Sequence, residues 1–171
     1  VLVSGNSAMA CARVPGKSTF AFCCQMAPVP PAGKALPEVL IAGREAQYLA
    51  YMFAQWSVRQ ERVAVQSYIN AYATPGGLRG GFGYYRAIPE TLAQNQRRAA
   101  RPLEMPVLAI GAEHATNDAP LLTMQGNALN LQGAMVPGCG HFITEEAPEA
   151  FVALLLPFLL ASPASRVTAR H

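Results

Sequence analysis

Two glycines bracket the approach to a histidine in the run Pro137-Gly138-Cys139-Gly140-His141. Glycines at 138 and 140 permit a tight backbone path out of the preceding apolar run. The loop then projects His141 past the end of that run. Imidazole titrates near neutral pH, so a histidine held in this way can serve as a general base. The bland alternative is a loop histidine with no role. Glu145, Glu146 and Pro148, followed by an apolar helix, form the surrounding pattern that favours the base. Other chemistry fits the sequence poorly. The run Pro15-Gly16-Lys17-Ser18-Thr19 ends like a phosphate-binding loop, but its first glycine position is Cys11 and no strand leads into it. Cys11, Cys23, Cys24 and Cys139 form no C-x-x-C pair, and no histidine falls at metal-ligand spacing, so no metal site is expected. All four cysteines read as reduced thiols in a cytoplasmic protein.

The elements that must position His141 follow from periodicity. Leu49, Met52, Phe53 and Trp56 share one helix face, with Pro37 in the first turn of that helix. Val65, Tyr68, Ile69 and Tyr72 repeat the spacing up to Thr74-Pro75-Gly76-Gly77. A third helical segment runs through Phe82, Tyr84 and Tyr85 and breaks near Pro89; a fourth covers residues 89–100. Met105-Pro106-Val107-Leu108-Ala109-Ile110-Gly111 is a short apolar run bounded by Pro and Gly, as expected of a strand buried on both faces. A helix over 120–129, a second strand over 133–138 and a helix over 148–160 complete the pattern. Strand, helix, strand, helix implies parallel strands. Ligands of such sheets bind beyond the carboxyl ends of the strands, where His141 lies.

The expected organisation is therefore an irregular segment over 1–35, a helical block over 36–102, an α/β unit over 103–162 and a frayed tail over 163–171. Val1-Leu2-Val3 reads as a short buried strand ahead of loop. The 171 residues are 51% apolar and 13% charged, which excludes disorder and allows one real core. The net charge of +3 is small. Its densest basic cluster, Arg97, Arg98 and Arg101, reads as a solvated helix face rather than a nucleic-acid surface. No signal peptide is expected. The longest apolar run, over 151–161, is interrupted by Pro157 and falls short of the roughly 20 residues a bilayer span needs.

The segment Pro137-Gly138-Cys139-Gly140-His141-Phe142-Ile143-Thr144-Glu145-Glu146-Ala147-Pro148-Glu149, with Phe151 and Phe158-Leu159, resembles the C-terminal histidine segment of α/β-hydrolases. The strand at 105–111 resembles the preceding strand of that fold. The helical block is similar to the cap of the epoxide hydrolase and haloalkane dehalogenase branch, above all in Pro75-Gly76-Gly77-Leu78-Arg79-Gly80-Gly81-Phe82-Gly83-Tyr84-Tyr85-Arg86. The resemblance covers about 35–160. It implies a partial α/β-hydrolase fold: a helical cap followed by two parallel strands with flanking helices.

It also implies a chemistry. An Asp nucleophile opens an epoxide to an alkyl-enzyme ester, and His141 activates the water that hydrolyses it. Tyr85, directly before Arg86, matches the cap tyrosine that donates a hydrogen bond to the epoxide oxygen; Tyr84 is the alternative, and both could instead pack in the cap core. The acid that orients the histidine falls to Asp118 or Glu113, with His114 in the usual position. Asp118 also reads as a helix N-cap before Ala119-Pro120. No Asp precedes Asp118. The one elbow-like run, Gly5-Asn6-Ser7-Ala8-Met9-Ala10, has Met9 where a small residue is wanted, which disfavours Ser7 as nucleophile. The partner implied is a small epoxide or related apolar compound, with no organic cofactor, no nucleic acid and no membrane. A truncated, inactive fragment or interaction module is the alternative from another class, with homo-oligomers through exposed sheet edges. A haloalkane dehalogenase-like hydrolase is the alternative within the branch.

Overall fold

A computed structural model of the chain describes Leu2–Ser4 and residues 36–161. The expectations for Ser7, Cys11, Cys23, Cys24 and the run at 15–19 lie outside the described residues.

The helical block contains α1 (Leu36–Ile41), α2 (Glu45–Trp56), a 3-10 turn (Gln60–Arg62), α3 (Val65–Tyr72), α4 (Gly77–Arg86) and α5 (Ile88–Arg98). The single helix expected from Pro37 to Trp56 is thus two. Gly43, at φ +76°, adopts a left-handed conformation that breaks the ladder between them. The apolar stripe of α2 then buries Leu49, Met52 and Phe53. Leu49, Phe53 and Val63 form a core joined by Tyr48, Tyr68, Ile69, Tyr72 and Phe142. Glycine-rich α4 is a poor helix by propensity. Its glycines instead allow close packing against α3: a Cβ at Gly81 would meet the Tyr72 hydroxyl at 2.6 Å. Arg86 fastens α4 to α1 through two contacts with the Glu38 carboxylate, at 2.7 and 2.9 Å. This planar, two-pronged geometry suits a guanidinium.

The α/β unit holds β2 (Leu103–Ala112), α6 (Ala119–Met124), β3 (Ala128–Val136), α7 (Ile143–Glu146) and α8 (Pro148–Ala161). β1 (Leu2–Ser4) and β3 both pair with β2 in parallel, giving the order β1-β2-β3. The strand read in the first residues is therefore a sheet strand. Val107, Leu108, Ala109 and Ile110 are all buried, as a two-sided parallel strand requires. Leu108, Ile110 and Ala112 meet Val136, Ile143 and Phe158 on one face. Val107 meets Met124 on the other. The helix expected over 120–129 stops at Met124, and β3 starts at Ala128 rather than 133. Gly126, at φ +79°, ends the helix, and exposed positions such as Leu129 and Asn130 hid the strand's first half from an apolar-run reading. Among the described residues, no helix is long and apolar enough to cross a membrane.

Candidate active site

His141 sits where the two layers meet. Its backbone N–H donates to the Trp56 carbonyl at the end of α2, at 2.8 Å. Its ring packs against Trp56 (centroids 5.3 Å) and edge-on against Phe142 (5.1 Å). Phe142 in turn packs on Phe53 in the helical core, so the histidine loop is pinned to the helical block by its next side chain. Burial lowers the pKa of His141 below the usual imidazole value, partly opposed by the negative charge of Glu146. A neutral imidazole able to accept a proton follows.

A cavity of about 170 Å³ opens beside the imidazole. Its wall combines α2 (Tyr48, Leu49, Met52, Phe53, Trp56), α3 (Tyr68, Tyr72) and α4 (Gly81, Phe82, Tyr85) with His141 and Phe142. Among the described residues, no Asp, Glu, Lys or Arg lines it. Tyr85 is half-buried on this wall, whereas Tyr84 is 53% exposed and meets Tyr85 edge-on. Of the tyrosine pair, Tyr85 is the one that shares a cavity with His141.

The carboxylates after β2 are placed otherwise. Asp118 occupies the N-cap position of α6, makes no side-chain cap hydrogen bond and is not on the cavity wall. Glu113 accepts the Gly138 N–H at 2.7 Å, and the His114 N–H donates to the Cys139 carbonyl at 3.0 Å. Both therefore brace the loop that carries His141. Gly138 lies at φ +59°, the left-handed turn its position in the motif called for. Cys139 is fully buried; burial, reinforced by the Glu146 charge, pushes its thiol up to about 11, so it stays protonated. It is a free thiol. Among the described residues, no cluster of His, Cys, Asp and Glu could hold a metal ion.

The feature that sequence reasoning passed over is the adjacent pair Glu145 and Glu146. Both reach into the helical block. Glu145 accepts the Ala64 N–H at 2.7 Å and the Tyr68 hydroxyl. That hydrogen bond, with burial, pushes Tyr68 up to about 12. Glu146 is completely buried and accepts four backbone N–H groups. The letters were visible as part of a motif. The partners of Glu145 and two of the four of Glu146 lie some 80 to 90 residues away in sequence, so no local signal identified the role.

No protein-family model matches the chain. It is similar to the soluble epoxide hydrolase of Corynebacterium sp. (strain C12), at 31% identity over 94 residues, covering 55% of this chain and 32% of that protein. Among solved structures, Cfl2 from Burkholderia cenocepacia is 32% identical with a TM-score of 0.70, over 86% of this chain and 50% of that one. The Cif epoxide hydrolase of Acinetobacter nosocomialis shares the fold at a TM-score of 0.69 and 23% identity, over 82% and 44% of the respective chains. The chain thus spans a third of the curated relative's length and half or less of the two solved structures. The expected resemblance to the C-terminal part of α/β-hydrolases of the epoxide hydrolase branch holds, and so does the partial α/β-hydrolase fold.

Proposed function

We infer that these residues form the cap-and-histidine part of an epoxide hydrolase-type enzyme. The observation that carries this reading is the meeting of His141 and Tyr85 in one uncharged, aromatic-walled cavity. In the ring-opening step, the Tyr85 hydroxyl donates to the epoxide oxygen as negative charge develops there. In the second step, neutral His141 takes a proton from water as it attacks the alkyl ester. The ester requires a carboxylate nucleophile. Asp118, the single Asp of the sequence, is off the cavity wall, so the described residues do not assemble the covalent step alone.

Size and polarity define the ligand. A closed apolar protein cavity of about 150 Å³ accepts benzene. A site of about 170 Å³ with no charged wall residue among those described suits one aromatic ring bearing a small neutral group. Trp56, the only Trp of the chain, lies in the wall and reports occupancy without turnover. Phenylethane-1,2-diol, the product of styrene oxide hydrolysis, should change Trp56 fluorescence saturably. An unresponsive Trp56 would remove the ligand class. Incubation with styrene oxide tests the chemistry: any diol formed should vanish in His141→Ala. Tyr85→Phe should weaken the saturable response of Trp56 to the diol, whose oxygen loses its wall donor, with Tyr84→Phe near wild type. Diol formation that survives His141→Ala would overturn the assignment.

A second reading is an inactive fragment or interaction module that associates with other chains. It is favoured by the apolar surface of α8, where Val152, Leu156, Leu159 and Leu160 are each about half exposed or more. Sedimentation of a monomer with cooperative melting would count against it. Self-association together with a Trp56 that does not respond to the diol would favour it.

A further inference from the structure

We propose that Glu146 is a positioning residue: its buried carboxylate clasps the His141 loop to the end of α2 and so fixes the imidazole in the cavity wall. The geometry is specific. One carboxylate oxygen, Oε2, accepts the N–H groups of Val58 (2.8 Å), Arg59 (3.0 Å) and Gly140 (3.1 Å); Oε1 accepts that of Phe142 (3.0 Å). The residues on either side of His141 are therefore tied to Glu146, and the His141 N–H itself is tied to the Trp56 carbonyl. Three consecutive amides of the loop are held against residues 56–59.

Space confirms the tightness of the clasp. A Cβ on Gly140 would lie 2.6 Å from the Trp56 carbonyl, 2.7 Å from Glu146 Oε1 and 2.8 Å from the Val58 nitrogen. Only glycine lets the strands of the clasp close. The groups facing it are Arg59 and Arg62, whose guanidinium groups donate to the Glu146 carbonyl at 3.3 and 3.5 Å, the buried Cys139 thiol, and His141. Burial raises the cost of charging Glu146, but its four N–H donors outweigh that, and its pKa lies below the ordinary carboxylate value. The carboxylate is thus an anion enclosed by the protein, and part of its charge acts on the neighbouring imidazole.

The clasp couples two things that the fold could have kept apart: where the cap helices sit, and where the histidine points. That its cargo is a catalytic base rests on the function inferred above; the clasp itself does not. The test separates the two. Hydrogen exchange on the wild-type chain should protect the amides of Val58, Arg59, Gly140 and Phe142 alike, on the order of 1,000-fold over an open loop. Fast exchange at Val58 and Arg59 beside protected Gly140 and Phe142 would sink the proposal, because the carboxylate would then hold only its own loop.

The variant arm uses Trp56 as reporter, since protonated imidazole in ring contact quenches indole emission. The pH midpoint of that quenching reads His141. In Glu146→Gln the anion is gone, so the midpoint should move to lower pH, and Gly140→Ala should disturb the same curve from the opposite side. Val107→Ala, a fully buried sheet variant, should lower the melting temperature yet leave the midpoint in place. A folded Glu146→Gln with an unmoved midpoint would reduce the glutamate to a structural residue. Should that variant fail to fold, the exchange pattern of the wild type decides alone.

Discussion

Gly111→Ala is expected to cost more than about 3 kcal/mol, seen as a fall in melting temperature of roughly 6–12 °C by circular dichroism. Gly111 is the penultimate residue of β2, paired with Met135. The turn after the strand folds back over it. Asn117, itself at φ +49°, donates its N–H to the Ala112 carbonyl at 2.7 Å, and the Thr116 hydroxyl accepts the Ala112 N–H. A Cβ on Gly111 would lie 1.7 Å from the Asn117 carbonyl oxygen. That neighbour is backbone, so no rotamer change relieves the collision; the whole turn must shift. Gly133→Ala is the contrasting case. Its Cβ would meet the Leu121 side chain at 2.6 Å, which can swing away, so a much smaller loss is expected. The consequence of Gly111→Ala reaches the site, because the displaced turn carries Glu113 and His114, the residues that brace the His141 loop. An unchanged melting temperature would show that the turn is not packed as described.

The second large effect is a loss of stability in acid that comes in two stages. His141 has a folded pKa below its ordinary 6.5 because burial disfavours the cation. Below pH 6.5 the unfolded chain takes up a proton that the folded chain resists. Stability therefore falls as pH drops from 6.5 toward the folded value. Glu146, also depressed, contributes stability that is present above its ordinary 4.5 and lost as pH falls through its lower folded value. Protonation in the second stage dismantles an anion with four backbone donors. At the alkaline end the sign reverses. Cys139 is raised from 9.0 to about 11 and Tyr68 from 10.0 to about 12, so the unfolded chain ionises first and stability declines as pH rises from about 9. Melting temperatures across pH should trace a plateau between these limits. Glu146→Gln should lower the plateau and flatten the second acid stage. A plateau extending undiminished below the ordinary carboxylate pKa would contradict the buried-anion account.

Both effects converge on one piece of architecture. The His141 loop is braced from the sheet side by Glu113 and His114, from the helical block by Trp56, and between the two by Glu146. The apolar contacts of Phe142 and Cys139 fill the two cores between them. A histidine so confined has little freedom to leave the cavity, as the base proposed above, which meets water at one position, requires.

Much of this was determined by local sequence. The stripe from Leu49 to Trp56 could be read because helix burial repeats at 3.6 residues, and β2 because a strand covered on both faces is uniformly apolar. Gly138 and His141 could be read because a left-handed turn and a proton-accepting ring are each tied to a residue type. The boundary at Gly43 and the polar half of β3 were missed, since a glycine break and an exposed edge strand leave weak periodic signals. Tyr85 was preferred to Tyr84 on resemblance alone; which of two sequence neighbours stands on the cavity wall depends on which side of α4 faces it, and that is a tertiary property. In the structure Glu113 accepts the Gly138 N–H, Asp118 stands at the start of α6 where its N-cap reading put it, and Glu146 gathers four backbone donors. A carboxylate's function depends on which donors surround it. For Glu146, two of the four come from residues nearly 90 positions away, a distance that only folding closes.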